Sequence, residues 1–190
     1  APALPGSAGG HPAAVAPQAV VGLAPAQANA NLCLESLRPT GAAPPPGQMP
    51  ANSTMAAIVA EGRLKVAVDQ TKWRMGAYNP INGQLEGFDV ELAREMARAI
   101  FGDPNKVELR AVTSAQRLDV VKNGEVHMVF NSFSITCDRA SQIAFSAVYF
   151  ESSRKVLIRR DNPAAKLEDL PEGSRLCATR GSTAARVLTE

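Results

Sequence analysis

The sequence lacks long apolar runs and clustered basic residues, and it has few aromatic side chains. No uninterrupted apolar stretch approaches the roughly 20 residues that a membrane-spanning helix needs. Aromatic residues make up only 5% of the 190 residues, and the formal net charge is +2 with no run of Lys or Arg. Nucleic-acid-binding surfaces depend on concentrated positive charge, so we expect no nucleic-acid partner.

Cysteine and histidine are also scarce. The chain has three cysteines and two histidines, namely Cys33, Cys137, Cys177, His11 and His127. No two of them have the spacing of a zinc site, so we expect no metal and no cofactor. The odd cysteine count allows one disulfide and one remaining thiol.

Residues 1–51 differ in composition from the rest of the chain. They hold 10 of the 14 prolines and 14 alanines, but only two charged residues, Glu35 and Arg38. Such a segment buries too little apolar surface to offset the loss of chain entropy. We therefore predict a flexible extension that links the folded part to an anchor upstream of Ala1.

The remaining chain alternates predicted strands with predicted helices. The strands are residues 64–68, 107–112, 128–130, 156–158 and 176–178, and the longer helices are residues 55–61, 90–101 and 115–122. Asp89 and Ser114 are interpreted as the caps of the second and third helices. This alternation is typical of βαβ units and predicts the α/β fold class with a parallel sheet.

Polar residues follow four of these strands, at the edge where open parallel sheets bind ligands. They are Asp69 and Gln70 after the first strand, Ser114 and Arg117 after the second, residues 131–139 after the third, and Ser182 and Thr183 after the last. Several precede helix N-termini, whose free N–H groups favour an anion. The four strand ends together predict a small-molecule site.

Residues 131–139 carry the densest set of these groups: Asn131, three hydroxyls, a thiol and Arg139. An arginine can hold a carboxylate through two parallel hydrogen bonds, and hydroxyls can fill the remaining lone pairs. The alternative is an ordinary strand-to-helix loop, in which Thr136 caps a turn and Arg139 is a surface charge.

Five sequence blocks resemble the extracellular solute-binding proteins for polar amino acids, the receptors of ABC importers. The blocks are Gly87-Phe88-Asp89-Val90-Glu91-Leu92-Ala93, Ser134-Ile135-Thr136 with Arg139, Ala144-Phe145-Ser146 with Tyr149-Phe150, Leu167-Glu168-Asp169-Leu170, and Gly181-Ser182-Thr183 after Cys177. The sequence is most similar to the glutamate-binding branch of high-GC Gram-positive bacteria, where a cysteine follows the Ser-Ile-Thr block as Cys137 does here.

The resemblance implies two lobes of the type II periplasmic-binding-protein kind, which clamp an amino acid between them. It places the first lobe at residues 52–150, and the hinge crossing and the start of a truncated second lobe at residues 151–190. We therefore expect the chain to bind amino acids weakly or not at all on its own, as a monomer. It also implies export to the cell exterior and delivery of the ligand to ABC permease subunits.

The resemblance also assigns roles to individual residues. Arg139 matches the arginine that pairs with the ligand α-carboxylate, Ser134 the residue that assists it, and Ser132 the carbonyl that accepts the α-ammonium. Arg117 matches an arginine that reaches the side-chain carboxylate in receptors for acidic amino acids. Asp69 and Gln70 match residues that face the ligand side chain, and Ser182 and Thr183 match groups of the second lobe.

Two departures from the family pattern affect the predicted ligand. The similar branch tends to carry a basic residue where Asn131 stands, and its loss weakens the case for glutamate. Glutamate stays the first expectation, with aspartate, glutamine and asparagine open. His127 stands where an acidic residue is usual.

The predicted function has alternatives as well. An extracellular sensor domain would use the same ligand site, and dehydratases and lytic enzymes share the fold. An enzyme would need an acid or a base beside Arg139, such as a Glu or a His, and the nearest candidates of these two types in the sequence are His127 and Glu151. The expectation is therefore a receptor, not an enzyme.

The cysteine pairing remains open at this point. In an exported protein Cys33 would pair with Cys137 and leave Cys177 for a partner elsewhere, while Cys137 with Cys177 is the alternative.

Overall fold

A computed structural model describes residues 39–189 of the chain. The first helix, α1, spans Thr54–Glu61, and the Ser53 hydroxyl accepts a hydrogen bond from the Ala56 amide at its N-terminus. Gly62 ends α1 in the left-handed conformation, with φ of 79°, which a residue without a Cβ adopts at little cost. Strand β1 follows at Leu64–Val68.

The strand β1 is the centre of a three-stranded parallel sheet. It lies between β5 (Val107–Ala111) and β6 (Met128–Phe130), with Val66 opposite Leu109 on one side and Met128 on the other. The side chains of Leu64, Val66 and Val68 are fully buried, as expected for a strand covered on both faces. The α/β prediction with a parallel sheet is thereby confirmed.

A small antiparallel sheet follows β1, in a region for which the sequence analysis predicts no paired strands. It contains β2 (Thr71–Lys72), β3 (Gly76–Asn79) and β4 (Gln84–Glu86). The prediction missed β2 and β3 because two- and four-residue strands that are mostly polar give no clear period-two pattern. A Cβ on Gly76 would lie 2.7 Å from the Asp69 carbonyl oxygen, so glycine allows this sheet to approach the end of β1.

Helices pack against the parallel sheet and complete the hydrophobic core. The longest, α2, spans Phe88–Phe101, and its residues Val90, Ala93, Ala97 and Ile100 are buried against β1. The shorter elements are α3 (Arg117–Lys122), α4 (Cys137–Ala140), a 3-10 turn (Leu167–Asp169) and α5 (Thr183–Val187). Most of the core therefore surrounds β1 and α2.

Two predicted helix caps are wrong. The residue before α2 is Gly87, and Asp89 lies inside the first turn with 0% exposure, bonded to the Tyr149 hydroxyl. Ser114 lies three residues before α3 and its hydroxyl accepts a hydrogen bond from Lys72 instead. Both polar side chains are buried, and each bonds to a tertiary partner rather than to a local amide.

The predicted strands at residues 156–158 and 176–178 are also absent. Both segments lack regular secondary structure, and no strand pairs with them among residues 39–189. A short apolar run forms a strand only when a neighbouring backbone completes its hydrogen bonds.

The segment just before α1 is tied to the end of α2. The Gly47 amide donates to the Ile100 carbonyl at 2.8 Å, and Met49 packs against the core. The predicted extension at residues 1–51 otherwise falls largely outside the described residues. Between residues 39 and 189, no helix combines the length and apolar character needed to cross a bilayer.

Candidate functional site

The carboxyl ends of the three parallel strands bring several predicted site residues together. Asp69 follows β1, Asn131 follows β6, and Arg117 begins the helix that follows β5. All three are buried, with exposures of 3%, 0% and 3%. Buried polar groups at one edge of a sheet must satisfy one another or a ligand.

Arg139 lies in the one-turn helix α4 at this edge. Thr136 caps the helix, with its hydroxyl 3.4 Å from the Arg139 amide, so the predicted cap is present together with the arginine. The guanidinium donates to the Ser134 carbonyl at 2.8 Å and to the Gly181 carbonyl at 2.9 Å, and lies 4.6 Å from the centre of the Phe133 ring. Burial, with a smaller contribution from Arg186, lowers its pKa.

Arg117 is the more deeply buried of the two arginines. It donates to the Asn131 carbonyl at 2.8 Å and to the Gly181 carbonyl at 3.3 Å, and lies 4.2 Å from the centre of the Phe133 ring. Burial, and to a smaller extent the positive charge of Arg139, lowers its pKa to about 10. Arg117 therefore stays charged at neutral pH, but its partners are carbonyl oxygens and a ring rather than a carboxylate.

Gly181 brings the segment after residue 180 against this edge. Its φ is 76°, and a Cβ there would lie 2.8 Å from the Ser114 carbonyl oxygen and 2.7 Å from the Ala115 Cα. Glycine is therefore required for this close approach. Its carbonyl accepts hydrogen bonds from both arginines.

Ser182 and Thr183 lie directly beyond Gly181. The Ser182 hydroxyl accepts from the Ala185 amide at 3.1 Å and so caps α5, and the Thr183 carbonyl accepts from Arg154. The capping role and the predicted contact with a carboxylate are compatible, since a helix N-terminus presents free N–H groups.

Lys72 is the charged residue of this site that the sequence analysis missed. Its ammonium lies 2.9 Å from Asp69 Oδ2, 3.0 Å from Asn131 Oδ1 and 3.2 Å from the Ser114 hydroxyl. A lysine three residues after the aspartate at a strand end was the available signal. The sequence analysis did not use this signal, because it predicts no strand at β2, which contains Lys72.

Both oxygens of the Asp69 carboxylate already have partners within the protein. Oδ1 accepts from the amide and the hydroxyl of Thr71, at 2.9 and 2.8 Å, and Oδ2 pairs with Lys72. Burial alone would raise the pKa of Asp69, but the hydrogen bonds from Lys72 and Thr71 outweigh burial and lower it. Gln70 is exposed beside Tyr78 and Arg94, and no hydrogen bond joins its side chain to the arginines.

Ser132 and Ser134 present backbone carbonyls to the arginines. Ser132 has a φ of 38°, and its carbonyl accepts from Arg117 at 3.3 Å. Its amide faces the buried carboxylate of Asp89, which also accepts from the Tyr149 hydroxyl at 3.1 Å. Ser132 thus has a conformation that non-glycine residues rarely adopt, next to a buried carboxylate that the sequence analysis interprets as a helix cap.

The residues that an enzyme would need lie elsewhere or lack partners. His127 stands at the amino end of β6, where its Nδ1 accepts from the Lys65 amide and its Nε2 faces Glu61 at 3.4 Å. Glu151 is exposed. Among residues 39–189, no three metal-ligating side chains converge on one point.

The state of Cys177 excludes one of the two possible disulfide pairings. Cys177 is free and exposed, so the alternative pairing of Cys137 with Cys177 is not formed. Cys33 lies outside the described residues, and its pairing with Cys137 stays a prediction.

Comparisons with known proteins agree on one family. The chain is 35% identical over 134 residues to a glutamine-binding protein from Geobacillus stearothermophilus, covering 70% of this chain and 51% of that protein. It is 32% identical over 135 residues to a glutamate-binding protein from Corynebacterium glutamicum, covering 68% and 45%. The chain thus spans about half the length of the curated relatives it matches.

Solved structures give a partial match. The crystal structure of the solute receptor for L-cysteine of Neisseria gonorrhoeae aligns with 34% sequence identity and a TM-score of 0.46, covering 47% of this chain and 36% of that one.

A family model carries the assignment. Residues 64–185 match the model of the bacterial extracellular solute-binding proteins, family 3. The match includes β1, the arginine pair and Gly181 with the start of α5. The chain therefore belongs to family 3 of the bacterial extracellular solute-binding proteins.

Proposed function

We propose that this chain is the amino-acid-binding part of an ABC importer receptor, with an acidic amino acid as its ligand. The observation that carries the proposal is the convergence of Arg117 and Arg139 on one backbone carbonyl, that of Gly181. Two guanidinium groups that share a neutral acceptor hold unused capacity for a carboxylate, which is a stronger acceptor.

The geometry supports a specific arrangement of the ligand. Arg139, half-buried in a short capped helix, binds the α-carboxylate, with Ser134 beside it. The α-ammonium is accepted by the Ser132 carbonyl, whose unusual φ of 38° keeps the oxygen near Arg117. Arg117 then reaches the carboxylate of the ligand side chain.

The facing side of the ligand is covered by the segment that begins at Gly181. Ser182 and Thr183 contribute groups at the N-terminus of α5 to this cover. Residues 151–190 form the hinge crossing and the start of the second lobe in this proposal, and residues 52–150 form the first lobe.

Glutamate is the first candidate ligand, with aspartate, glutamine and asparagine as alternatives. Relatives named as glutamine-binding and glutamate-binding proteins both match this chain, so the family comparison supports a polar amino acid. Preference for a second carboxylate is supported by the buried charge of Arg117 and the nearby ammonium of Lys72.

The receptor would act outside the cell, as the name of its family indicates. In this proposal it is monomeric, is attached to the outer face of the membrane through a segment upstream of Ala1, and delivers its ligand to permease subunits. A sensor domain would bind the same ligand. Permease and ATPase genes beside its gene would favour transport.

The test is a titration of the isotope-labelled chain with glutamate, followed by NMR and carried to millimolar ligand so that weak binding is measured. We expect saturable shifts centred on residues 131–139, and a loss of affinity of about tenfold or more in Arg139→Ala. Arg110→Ala is the matched control, because Arg110 is an exposed arginine on β5 paired with Glu125. If Arg139→Ala binds the amino acid as well as the unaltered chain does, the proposal is wrong.

A further inference from the structure

The ammonium of Lys72 joins the ends of all three parallel strands. From β2 it reaches Asp69 after β1, Ser114 after β5 and Asn131 after β6, at distances between 2.9 and 3.2 Å. The Lys72 side chain keeps 29% of its surface exposed, whereas the Asp69 side chain keeps 4%. Lys72 is therefore the member of this group that a ligand can reach from solvent.

Asn131 links Lys72 to Arg117. Its amide oxygen accepts from the Lys72 ammonium at 3.0 Å and lies 3.5 Å from a guanidinium nitrogen of Arg117. Two positive groups are thus directed at one neutral oxygen in a largely buried place. A carboxylate at this point would gain a charge-assisted hydrogen bond from each cation.

Two donors at the same place are buried without an acceptor. They are Arg117 Nε and Asn131 Nδ2, and Asn131 itself has 0% exposure. A buried donor without a partner loses its hydrogen bonds to water and forms none in the protein, which costs free energy. Native proteins therefore rarely retain such a donor unless it serves a function. Unused donors beside two cations indicate a site for an additional anionic acceptor.

We propose that Lys72 determines specificity by binding, together with Arg117, the side-chain carboxylate of a dicarboxylic amino acid. This inference rests on the proposed function and narrows its ligand to glutamate or aspartate over their amides. Lys72 adds the second cation that the side-chain carboxylate requires, while Arg139 serves the α-carboxylate common to all amino acids. The side-chain amide of glutamine carries no charge, so a contact with Lys72 would add little to the binding free energy.

A purely structural role is the competing explanation. In that case Lys72 only neutralises Asp69 and holds the small antiparallel sheet to β1. Replacing it would then weaken folding and reduce the affinity for every amino acid by the same factor.

The test compares glutamate and glutamine binding to the full 190-residue chain by NMR titration. In Lys72→Gln we expect the affinity for glutamate to fall about tenfold or more and that for glutamine to change less than about threefold. Lys72→Arg keeps the positive charge and should retain most of the preference for glutamate. Lys65→Gln is the matched control, since Lys65 pairs with Glu61 at 2.9 Å at the opposite end of β1.

The double variant Asp69→Asn with Lys72→Gln guards against misfolding, because it removes both members of the buried ion pair. It should also lose the preference for glutamate. An equal loss of both ligands in the Lys72 variants, or an unchanged preference, overturns the role of Lys72 and leaves the receptor function standing. Unchanged affinity for both amino acids in Arg139→Ala overturns the receptor function itself.

Discussion

The pKa values of two buried carboxylates, Asp69 and Asp89, are shifted in opposite directions. Lys72 and Thr71 more than offset the burial of Asp69, so its pKa is lowered and its ionised form stabilises the fold. This stabilisation is present above the pKa of an unfolded aspartate, about 3.9, and is lost as the pH falls further.

Burial dominates at Asp89 and raises its pKa, despite hydrogen bonds from Tyr149 and Ser132. Asp89 therefore lowers stability as the pH rises.

The first residue-level prediction concerns Asp89→Asn. Asparagine keeps an acceptor for the Tyr149 hydroxyl but cannot ionise, so the fall in stability with rising pH disappears. The free energy of unfolding of the variant minus that of the unaltered chain should therefore increase between pH 4 and pH 7. Urea unfolding at several pH values measures it, and a difference that stays constant over this range would contradict the assignment.

A second prediction at this scale concerns Gly87, which precedes α2. Its φ is 121°, and a Cβ there would lie 2.5 Å from the Met75 carbonyl oxygen. Gly87→Ala should therefore cost about 2 kcal/mol or more of stability. Gly124→Ala is the control, because Gly124 also has a positive φ, of 71°, but nothing within 4 Å of the added carbon. It should cost only about 1 kcal/mol. Equal losses in urea unfolding would show that the contact with Met75 is unimportant.

At the scale of secondary-structure elements, the short helix α4 shows how a local signal positions a functional group. Four residues are too few for a helix to be stable by itself. The Thr136 cap, with an exposure of 2%, and the packing around it hold this one turn in place and thereby orient Arg139. If Arg139 binds the ligand as proposed, stability of the cap and ligand binding are coupled at this element.

The corresponding prediction compares two helix caps. Thr136→Val keeps the shape of the side chain but removes the acceptor, and Ser53→Ala removes the cap of α1. Each should cost about 1 kcal/mol in urea unfolding. Only Thr136→Val should also weaken glutamate binding, because α1 holds no residue of the site. Loss of binding in both variants would indicate a general effect of stability instead.

The elements that could be predicted from the sequence are those with strong local signals. The strand at Leu64–Val68 is a continuous apolar run, and α2 carries an apolar stripe that ends at Gly102. The strands predicted at 156–158 and 176–178 failed because pairing is a tertiary property that an apolar triplet does not encode. The short strands β2 and β3 were missed for the converse reason, since pairing forms them without a local pattern.

The candidate site was predictable to a similar degree. The spacing of residues 131–139 and the position of Arg117 after β5 indicated which side chains meet at the sheet edge. The role of Lys72 and the burial of Asp89 depend on contacts between residues about 60 apart, as with Lys72 and Asn131. Such contacts leave no trace in local spacing.

For the whole molecule, family membership rests on residues 64–185, while the chain spans about half the length of its curated relatives. Cys33 precedes that region, and Cys137 and Cys177 lie inside it. A bond from Cys33 to Cys137 would fasten the N-terminal extension to α4, and a closed loop of that length would stabilise the fold by about 4 kcal/mol or more in the chain-entropy account.

A peptide map without reduction tests this bond. We expect the peptide that contains Cys33 to be linked to the one that contains Cys137, and Cys177 to react with iodoacetamide in the folded chain because it is free and exposed. Cys177→Ser should leave the linked pair unchanged. Recovery of Cys137 linked to Cys177 would refute the predicted pairing.

The hydrogen bond from Gly47 to the Ile100 carbonyl has a practical consequence for protein engineering. A shortened chain that began at Asn52 would keep all of α1 but would leave that helix-terminal carbonyl without its donor and uncover the core beside Met49. Versions intended for crystallisation or labelling should therefore retain residues 45–49, which include the turn closed by the hydrogen bond from the Gln48 amide to the Pro45 carbonyl. The proline-rich segment in front of α1 is therefore part of the folded domain, because it supplies a donor to the end of α2 and covers the core beside Met49.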